Sequence, residues 1–287
     1  MPKANVLLTL NSHIESLVEL HQILADFRSR GLSLGFVPTM GALHTGHKNL
    51  VEKSVEENDQ TLVSIFVNPT QFNNADDLKN YPRTLEKDLD FLSDIPNLHV
   101  FAPTIQSIYP ENESFVAMDL GALGQVLEGQ FRPGHFDGVV HVVHNLFKLV
   151  QPNRAYFGKK DFQQLAIIRK LQTHYKFPIE IIGCETIRES SGLALSSRNL
   201  RLSESDKVDA LIIYQTLQLC QSQKKNLTPK ELKRLATDFF KQGNLTLEYL
   251  EIVHVDDLLD ASDWSKPTVC CIAAFCGEVR LIDNMEL

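Results

Sequence analysis

The sequence has no apolar run that approaches the roughly 20 residues of a transmembrane helix. Its first residues, Met1–Asn5 and a short Val6–Leu8 run, lack the length and cleavage site of a secretory signal. Internal repeats and low-complexity tracts are also absent. These absences argue against membrane-spanning and disordered classes and predict a cytoplasmic globular protein with no membrane partner.

Cysteine is scarce and unpaired in pattern. The five cysteines form no Cys-x-x-Cys pair, and their odd number gives no disulfide framework. The run from Cys270 to Phe275 is typical of a buried strand. We therefore predict reduced thiols packed in a core, at Cys184, Cys220, Cys270, Cys271 and Cys276.

Positive charge is in deficit, with 28 Lys and Arg against 36 Asp and Glu and a net charge of −8. Surfaces that bind nucleic acid depend on clusters of Lys and Arg, so a broad nucleic-acid interface is not expected. A few local cations are still sufficient to hold one nucleotide. The hydrophobic fraction of 43% is that of a globular protein, and 287 residues allow one large domain or two smaller ones.

Short β-rich runs alternate with helical patterns over the first two thirds of the chain, which predicts parallel strands joined by crossover helices. The clearest helices run from Phe136 to Gln151 and from Phe162 to Tyr175, where apolar residues recur at helical spacing. The predicted fold class is therefore α/β, with a Rossmann-like parallel sheet. The expected strands are Leu34–Val37, Leu62–Val67, Leu98–Phe101, Ala155–Phe157 and Ile179–Ile182.

The pattern changes after Arg188 to two consecutive helices followed by strand-like runs. This change predicts a smaller C-terminal α+β domain over residues 187–287, after a Rossmann-like domain over residues 1–186. We expect the smaller domain to close over the active site. The expected elements are the helices Glu204–Gln223 and Pro229–Lys241 and the strands Leu247–Val255 and Val269–Ala274.

The first functional signal is the segment from Val37 to His47, where a predicted strand gives way to a helix. Ligands of open α/β sheets bind at the carboxyl ends of strands. Gly41 permits a tight turn, and Gly46 lets a phosphate approach the backbone. His44 and His47 would share one helical face near a helix N-terminus, where free amides and the helix dipole favour anions. The pair is therefore predicted to donate hydrogen bonds to charge that develops in phosphoryl or nucleotidyl transfer.

Two other interpretations of the histidine pair stay open. A His-x-x-His pair can bind zinc, although no nearby Cys or carboxylate supplies an obvious third ligand. Each histidine can also be a packed or exposed imidazole without a catalytic role. The glycines and the strand-to-helix position favour the functional interpretation. His141 and His144 lie inside the Phe136 helix without either feature and are interpreted as structural or partly solvated.

Polar residues also follow two other predicted strands. Asn68 and Gln71 offer amide donors and acceptors to a substrate with a carboxylate and hydroxyls, or else they satisfy loop backbone. Gly158, Lys160 and Asp161 precede a helix in the manner of a phosphate-binding turn with an added cation. A Lys-Lys-Asp run is otherwise a solvated surface patch, and its place between a strand and a helix favours the functional interpretation.

A later loop holds Ser196, Ser197 and Arg198, which can supply two hydroxyls and a guanidinium to a triphosphate. Gly192 permits that loop to close. Small polar loops are common, so this pattern alone is weak. Arg132 lies in a Pro-Gly turn and faces either the site or a neighbouring subunit.

Asp88 is the candidate metal ligand. Magnesium on a nucleotide commonly binds through one carboxylate plus phosphates and waters, and Asp88 can provide that carboxylate. The alternative interpretation is an acid on the surface of a helix.

The run Pro38–His47 resembles the nucleotide-binding motif of the pantothenate synthetase family, a branch of the HIGH-type nucleotidyltransferases. Further blocks follow in the order expected of that family and extend to Arg280–Asn284, so the resemblance covers nearly the whole chain. The other blocks are Ser64–Phe72, Tyr81–Thr84, Leu127–Val139, Phe157–Leu165 and Gly192–Asn199.

The resemblance implies an enzyme that activates the carboxylate of pantoate with ATP and then joins it to β-alanine. ATP is then a substrate, Mg²⁺ a cofactor and a homodimer the expected assembly. Gln71 and Gln164, with Asn68, are expected at pantoate, and Gln71 also at β-alanine.

The same resemblance implies catalytic roles for His44, His47 and Lys160. The implied ATP contacts are Met40, Gly41, His44, Gly46, His47, Gly158, Lys160, Asp161, Ile187, Leu195, Ser196, Ser197 and Arg198.

Three positions depart from the family pattern. Thr70 is expected to alter the apolar lining of the pantoate pocket, and Lys159 is expected to add charge near the nucleotide. Ser191 stands where Asp or another polar residue is frequent in the family.

Two other functions stay open. A related nucleotidyltransferase acting on a phosphorylated acceptor would share the His44 and His47 segment without the Asn68–Phe72 and Gln163–Gln164 blocks. A non-catalytic nucleotide sensor is the second alternative, against which the presence of His44, His47 and Lys160 argues.

Overall fold

The computed structural model describes residues 12–111 and 115–287. The N-terminal segment from which the absence of a secretory signal was inferred therefore lies outside the described residues. Six strands form a parallel sheet: β1 (Ser12–Ile14), β2 (Leu34–Thr39), β3 (Gln60–Ile65), β4 (Leu98–Phe101), β5 (Arg154–Gly158) and β6 (Glu180–Cys184). Their order is β1-β4-β3-β2-β5-β6, which confirms the predicted Rossmann-like α/β class.

Helices connect these strands and cover both faces of the sheet. They are α1 (Leu17–Ser29), α2 (Thr45–Glu57), α3 (Ala75–Asn80), α4 (Leu85–Phe91), α5 (Ile105–Ile108), α6 (Glu128–Phe131), α7 (His135–Val150) and α8 (Phe162–His174). Among the residues that the structure describes, no helix is long and apolar enough to cross a membrane.

Alternating strand residues feed two cores, because successive side chains of a strand point to opposite faces. Phe36 of β2 packs in one core with α1, α7 and α8, whereas the next residue, Val37, packs in the other with α2. The apolar stripe predicted for α7 is buried, including Val139, Val143 and Phe147. His144 of α7 is also buried, and the His141 ring stacks on Phe115 at 4.1 Å, in accord with structural roles.

A second, antiparallel sheet follows, with the order β7-β8-β9. One face packs against its two helices, and Tyr249 and Val269 on the other face pack against Leu127 and Phe162 of the larger sheet's helical layer. The predicted domain boundary between residues 186 and 187 stays a prediction. The elements are α9 (Glu204–Gln223), α10 (Pro229–Phe240), β7 (Thr246–His254), β8 (Thr268–Cys276) and β9 (Val279–Glu286).

The five cysteines are free and buried, as predicted. The structure differs from the sequence expectation at β1 and β9, which were not predicted. β1 has only three residues, and β9 interrupts its apolar pattern with Arg280, Asp283 and Asn284. β3 ends at Ile65, before the predicted end, because the chain then turns at Asn68 into a 3₁₀ helix over Pro69–Gln71.

Candidate active site

The carboxyl ends of β2, β3 and β5 and the N-termini of α2 and α8 surround a cleft of ≈ 220 Å³. This is where open α/β sheets bind ligands. Gly41 and Asp88 are the predicted site residues that do not line it. Those that do are Met40, His44, Gly46, His47, Asn68, Gln71, Gly158, Lys160, Asp161, Gln164, Ile187, Leu195, Ser196, Ser197 and Arg198.

The two histidines form a reciprocal cap at the start of α2. The Gly46 N–H donates to Nδ1 of His44 over 3.1 Å, and the His44 N–H donates to Nδ1 of His47 over 3.3 Å. Because each Nδ1 accepts a hydrogen bond, a neutral ring carries its proton on Nε2. Each ring therefore has an Nε2–H donor available to a ligand in the cleft.

Burial keeps both rings neutral. It lowers the pKa of His44 to about 4, and the positive charge of Lys160 acts in the same direction. It lowers the pKa of His47 to about 3, with His44 and Lys160 adding to the effect. Near pH 7 the pair thus acts as two oriented neutral donors and Lys160 supplies the positive charge.

A zinc site at His44 and His47 would lack a third ligand in the part of the chain that the structure describes. There, no group of three or more His, Cys, Asp and Glu side chains that could hold a metal occurs. The Nδ1 atoms of His44 and His47 are also occupied by main-chain donors.

Asp88 has a different position from the one expected of a magnesium ligand. It is only 3% exposed, and its carboxylate accepts the N–H groups of Ala42, at 3.0 Å, and Leu43, at 2.8 Å. Thr84 Oγ1 donates to the same carboxylate at 3.3 Å. These bonds turn Asp88 toward the loop before α2 instead of the cleft, so the magnesium interpretation is corrected to a loop-supporting one.

Gly41 lies in the loop that Asp88 supports and does not line the cleft. Its φ is +79°, and an added Cβ would lie 3.0 Å from the Asp88 carboxylate and 3.0 Å from Ile65. The tight turn predicted at Gly41 is present, and its purpose is to bring the loop amides down onto Asp88.

Lys160 lies in a 3₁₀ turn, Lys159–Asp161, between β5 and α8. Its Nζ is 3.9 Å from the Asp161 carboxylate. Lys159 does not itself line the cleft, but its Nζ pairs at 2.6 Å with Glu185, which does, and at 3.1 Å with Glu286. Two carboxylates thus compensate the charge of Lys159 at the edge of the cleft, and its effect on the nucleotide stays a prediction.

The two amide side chains after β3, Asn68 and Gln71, have different roles. Asn68 Nδ2 donates to Gln71 Oε1 and to the Gly138 carbonyl, both at 3.1 Å, and Asn68 Oδ1 accepts the Tyr109 hydroxyl at 2.7 Å. Asn68 is thus used within the protein and orients Gln71. The Gln71 Nε2 group is left near Met40, with 3.1 Å to its sulfur, on the wall of the cleft.

Thr70 supports the same turn. Its Oγ1 donates to Asn68 Oδ1 at 3.0 Å, and Thr70 does not line the cleft. Thr70 therefore contributes to the turn and not directly to the cleft wall, and its effect on the apolar lining of the pantoate pocket stays a prediction.

Part of the cleft wall was not predicted from the sequence. Val139 and Val143 were predicted only as core residues, and they line the cleft together with Val142 and Leu146 of the same helix. A helical stripe cannot by itself distinguish a core face from a pocket wall. Tyr81 also lines the cleft, and its place in the Tyr81–Thr84 block was the signal that could have identified it.

The later polar loop reaches the cleft from the other side. Ser197 Oγ donates to the Ala42 carbonyl at 3.0 Å, which ties this loop to the histidine loop. Arg198 pairs with Asp77 at 3.0 Å and Arg201 with the same carboxylate at 3.4 Å. Arg198 is therefore held at the cleft by a carboxylate that a triphosphate would have to replace or share.

Arg132 faces a neighbouring cleft of ≈ 470 Å³ that shares Lys160, Ser196 and Arg198 with the first. It lies 3.6 Å from the Glu128 carboxylate. Arg132 thus borders the site region, and a contact with a neighbouring subunit stays a prediction.

Comparison with known proteins gives one consistent family. The family model described as Pantoate-beta-alanine ligase matches residues 12–286. A pantothenate synthetase of Bacteroides thetaiotaomicron is 47% identical over 276 residues, which cover 95% of this chain and 98% of that protein. One of Phocaeicola vulgatus is 48% identical over 277 residues, with the same coverage of 95% and 98%.

Solved structures agree. The crystal structure of pantothenate synthetase from Thermus thermophilus has a TM-score of 0.89 at 40% identity and covers 96% of this chain and 98% of that one. Pantoate-beta-alanine ligase from Francisella tularensis, complexed with beta-gamma ATP and beta-alanine, has a TM-score of 0.79 at 36% identity, covering 96% and 98%. The sequence, the fold and the cleft therefore agree that this chain belongs to the pantoate-beta-alanine ligase family.

Proposed function

We propose that this chain is an enzyme that condenses pantoate with β-alanine at the expense of ATP, releasing AMP and pyrophosphate. Family membership over nearly the whole chain supports this activity. The observation that carries it is the cleft itself, where two neutral histidine donors and Lys160 face the same space as the amides of Gln71 and Gln164. One side of that space suits a polyphosphate, and the other suits a small hydroxy acid.

In the first step a carboxylate oxygen of pantoate attacks the α-phosphorus of ATP, and the bond to the β-phosphate oxygen breaks. Pantoyl adenylate and pyrophosphate result. No protein nucleophile is needed, so the enzyme's contribution is positioning and stabilisation of charge. His44 and His47 donate from Nε2 to phosphate oxygens, while Lys160 and Arg198 balance the charge on the departing pyrophosphate.

In the second step the neutral amine of β-alanine attacks the acyl carbon of the adenylate. The acyl–phosphate bond breaks, AMP leaves, and the new amide loses the amine proton. Gln71 is the residue that we assign to both small substrates, with Gln164 at pantoate. The apolar wall of Val139, Val143 and Leu146 excludes water from the adenylate.

Magnesium is proposed to enter with ATP. Asp161 lines the cleft beside Lys160 with a partly exposed carboxylate, which fits an ion held through one carboxylate, phosphates and waters. We further propose a cytoplasmic homodimer. Residues 1–186 and 187–287 are proposed to act as two domains, and the smaller domain is proposed to close over the cleft. Sedimentation of the purified protein with and without ATP tests the assembly and the compaction.

Isotope exchange tests the function. Labelled pyrophosphate should exchange into ATP when pantoate and magnesium are present and β-alanine is absent, because the adenylate forms before the amine attacks. Exchange that requires β-alanine would contradict the two-step order. Nucleotide transfer to a phosphorylated acceptor would favour the related nucleotidyltransferase, and ATP binding with no turnover would favour a sensor.

A further inference from the structure

The last strand carries two polar residues that the proposed mechanism does not use. Asp283 is 4% exposed and Asn284 is 8% exposed, although both lie on β9 of the smaller sheet. Buried polar groups of this kind are kept by hydrogen bonds that fix their surroundings. Their partners lie in the two segments that bring Lys160 and Arg198 to the cleft.

Asn284 holds the turn of Lys160. Its Nδ2 group donates to the Lys159 carbonyl at 3.0 Å and to the Lys160 carbonyl at 2.8 Å. These two carbonyls stand on either side of the Lys160 Cα atom. One side-chain amide therefore fixes the backbone from which the Lys160 side chain leaves.

Asp283 holds the base of the other segment. Its carboxylate accepts two bonds from Arg188, at 2.5 and 3.0 Å, and the Asn284 N–H at 2.8 Å. Arg188 directly follows Ile187 of the cleft and also donates to the Gly192 carbonyl at 3.2 Å. Its guanidinium lies 4.4 Å from the centre of the Tyr214 ring. Arg188 thereby anchors the loop that continues to Ser196 and Arg198.

We propose that Asp283 and Asn284 form a positioning pair that sets Lys160 and the Ser196–Arg198 loop at a fixed separation around the ATP phosphates. Neither is a catalytic residue in this role, because each acts through a neighbour. Through this pair the smaller sheet is hydrogen-bonded to both segments that carry the cations of the site, the Lys160 turn and the loop that ends at Arg198. The proposal rests on the proposed function, in which Lys160 stabilises the departing pyrophosphate.

The first experiment replaces the Asn284 amide. In Asn284→Ala, pyrophosphate exchange at saturating substrates should fall on the order of 10-fold or more, because small displacements of a catalytic group are costly. The KM for pantoate should change by less than about 2-fold, since Gln71 and Gln164 stay in place. Asn284→Thr has a similar volume, adds no charge and has a single hydroxyl donor, which cannot bond both carbonyls, so exchange should fall in the same way. It keeps the test possible if the alanine variant fails to fold.

A matched control separates this effect from a general loss of a buried hydrogen bond. Gln172 Nε2 also donates to a main-chain carbonyl, that of Phe177, at 2.6 Å, near the end of α8 remote from Lys160. Gln172→Ala should lower the melting temperature and leave exchange near the wild-type rate. A loss of exchange in Gln172→Ala equal to that in Asn284→Ala would overturn the proposal.

The decisive measurement is a double-mutant cycle between Asn284 and Lys160. If Asn284 acts through Lys160, Asn284→Ala should cost less than about 3-fold in a Lys160→Ala background, because the positioned group is gone. Full multiplication of the two single losses would overturn the proposal. The same cycle on ATP affinity, measured by calorimetry, decides the point without turnover, and wild-type exchange tests the proposed function separately.

Discussion

The imidazoles at the start of α2 owe their protonation state to the backbone around them. A main-chain N–H fills each Nδ1, and burial disfavours a second proton, so each ring is a neutral donor from Nε2. Near pH 7 an imidazolium at this position would add positive charge to that of Lys160. A neutral imidazole instead provides one hydrogen-bond donor with a fixed orientation. The division of labour between His47 and Lys160 leads to a test at single residues.

Replacing His47 or Lys160 by alanine should stop adenylate formation without unfolding the protein. Removing a preorganised donor to developing charge costs on the order of 100-fold or more in rate. His47→Ala also removes half of the cap of α2, which costs about 1 kcal/mol in the free energy of unfolding. Exchange rates and melting temperatures measure the two effects.

The second half-reaction gives the internal control for these variants. Started from supplied pantoyl adenylate and β-alanine, it should suffer less, because pyrophosphate has already left. If His47→Ala keeps near-normal exchange, or loses it only in proportion to unfolding, the histidine is structural.

The buried histidines should also make stability depend on pH in a defined window. The pKa values of His44, His47 and His135 are lowered by burial to about 4, about 3 and about 4, so below their ordinary value near 6.5 the unfolded chain binds more protons than the folded one. The stability that they confer is present above that value and is lost as pH falls toward the folded values. At one unit below it, each costs about 1 kcal/mol.

Urea unfolding at pH 7.5, 6.5 and 5.5 measures this slope, and His47→Gln should make it shallower by one histidine's share. An unchanged slope in that variant would show that His47 does not contribute to the pH dependence of stability. The sequence could identify His44 and His47 from their glycines and spacing. It could not show their tautomer, which depends on two main-chain distances that only the folded helix start creates.

At the scale of elements, the turn after β3 combines local hydrogen bonds with a contact to a helix 70 positions away. Asn68, Gln71 and Thr70 form one hydrogen-bonded unit that packs against α7 at Gly138. An added Cβ at Gly138 would lie 2.4 Å from the Thr70 carbonyl oxygen, which is backbone and cannot rotate away. The helix and the turn therefore approach as closely as they do only because residue 138 has no side chain.

Gly138→Ala should push the turn away from α7 and displace Gln71. We expect the KM for pantoate to rise on the order of 10-fold or more and the KM for ATP to change little, because the loss of a polar partner concerns only the acid. Stability should fall by about 1 to 3 kcal/mol from overpacking. Steady-state kinetics and urea unfolding provide both numbers.

Gly243→Ala is the matched control for the turn variant. The three atoms nearest to its added Cβ would all belong to the Ile212 side chain, the first at 2.9 Å, in the smaller part of the chain. It should leave both KM values unchanged, and equal effects on pantoate and ATP in Gly138→Ala would remove the assignment of this turn to pantoate.

Elements with a strong apolar period were predictable, and those without one were not. The bounds of α9 match the prediction at both ends, Glu204 and Gln223, because a capping Ser203 precedes a long helical pattern. β9 was missed because its buried polar residues Asp283 and Asn284 break the pattern of a strand. The interruption marks the part of the strand that contacts the site segments.

At the scale of the molecule, a buried ionic network joins the two sheets. Glu128 of α6 accepts two bonds from Arg280 of β9, at 2.7 and 2.8 Å, and one from Tyr249 of β7, at 2.7 Å. Burial alone would raise the pKa of Glu128, but Arg280, Tyr249 and Arg132 outweigh it and lower the pKa to about 2. The sequence contained no sign of this network, because its members are 121 and 152 positions apart.

Removing Arg280 should therefore uncouple the two parts of the molecule. Arg280→Met leaves Glu128, 7% exposed, as a buried carboxylate with weaker compensation from Arg132 at 3.6 Å. Breaking a buried pair from one side costs about 3 to 5 kcal/mol. Arg154→Met is the control: it removes the largely exposed pair with Glu180 at 2.9 Å and a bond to the Glu57 carbonyl at 2.9 Å, and it should cost less, about 1 to 2 kcal/mol.

The single tryptophan, Trp264, lies in the part of the chain with the smaller sheet and reports on it separately. In the wild type, urea transitions followed by Trp264 fluorescence and by far-UV circular dichroism should coincide, because the network makes unfolding cooperative. In Arg280→Met the two transitions should separate. The Glu128→Gln, Arg280→Met double variant should recover part of the lost stability, since Glu128 no longer leaves a buried charge without its partner. The recovery should be incomplete, because Glu248, whose side chain is 16% exposed, also loses its pair with Arg280. Glu128 adds stability above its ordinary pKa of 4.5 and loses it as pH falls toward 2, so the gap between wild type and Arg280→Met should narrow in acid. Coincident transitions in Arg280→Met, with a loss no larger than that of Arg154→Met, would mean that apolar packing around Leu127 and Phe162 holds the two sheets together by itself.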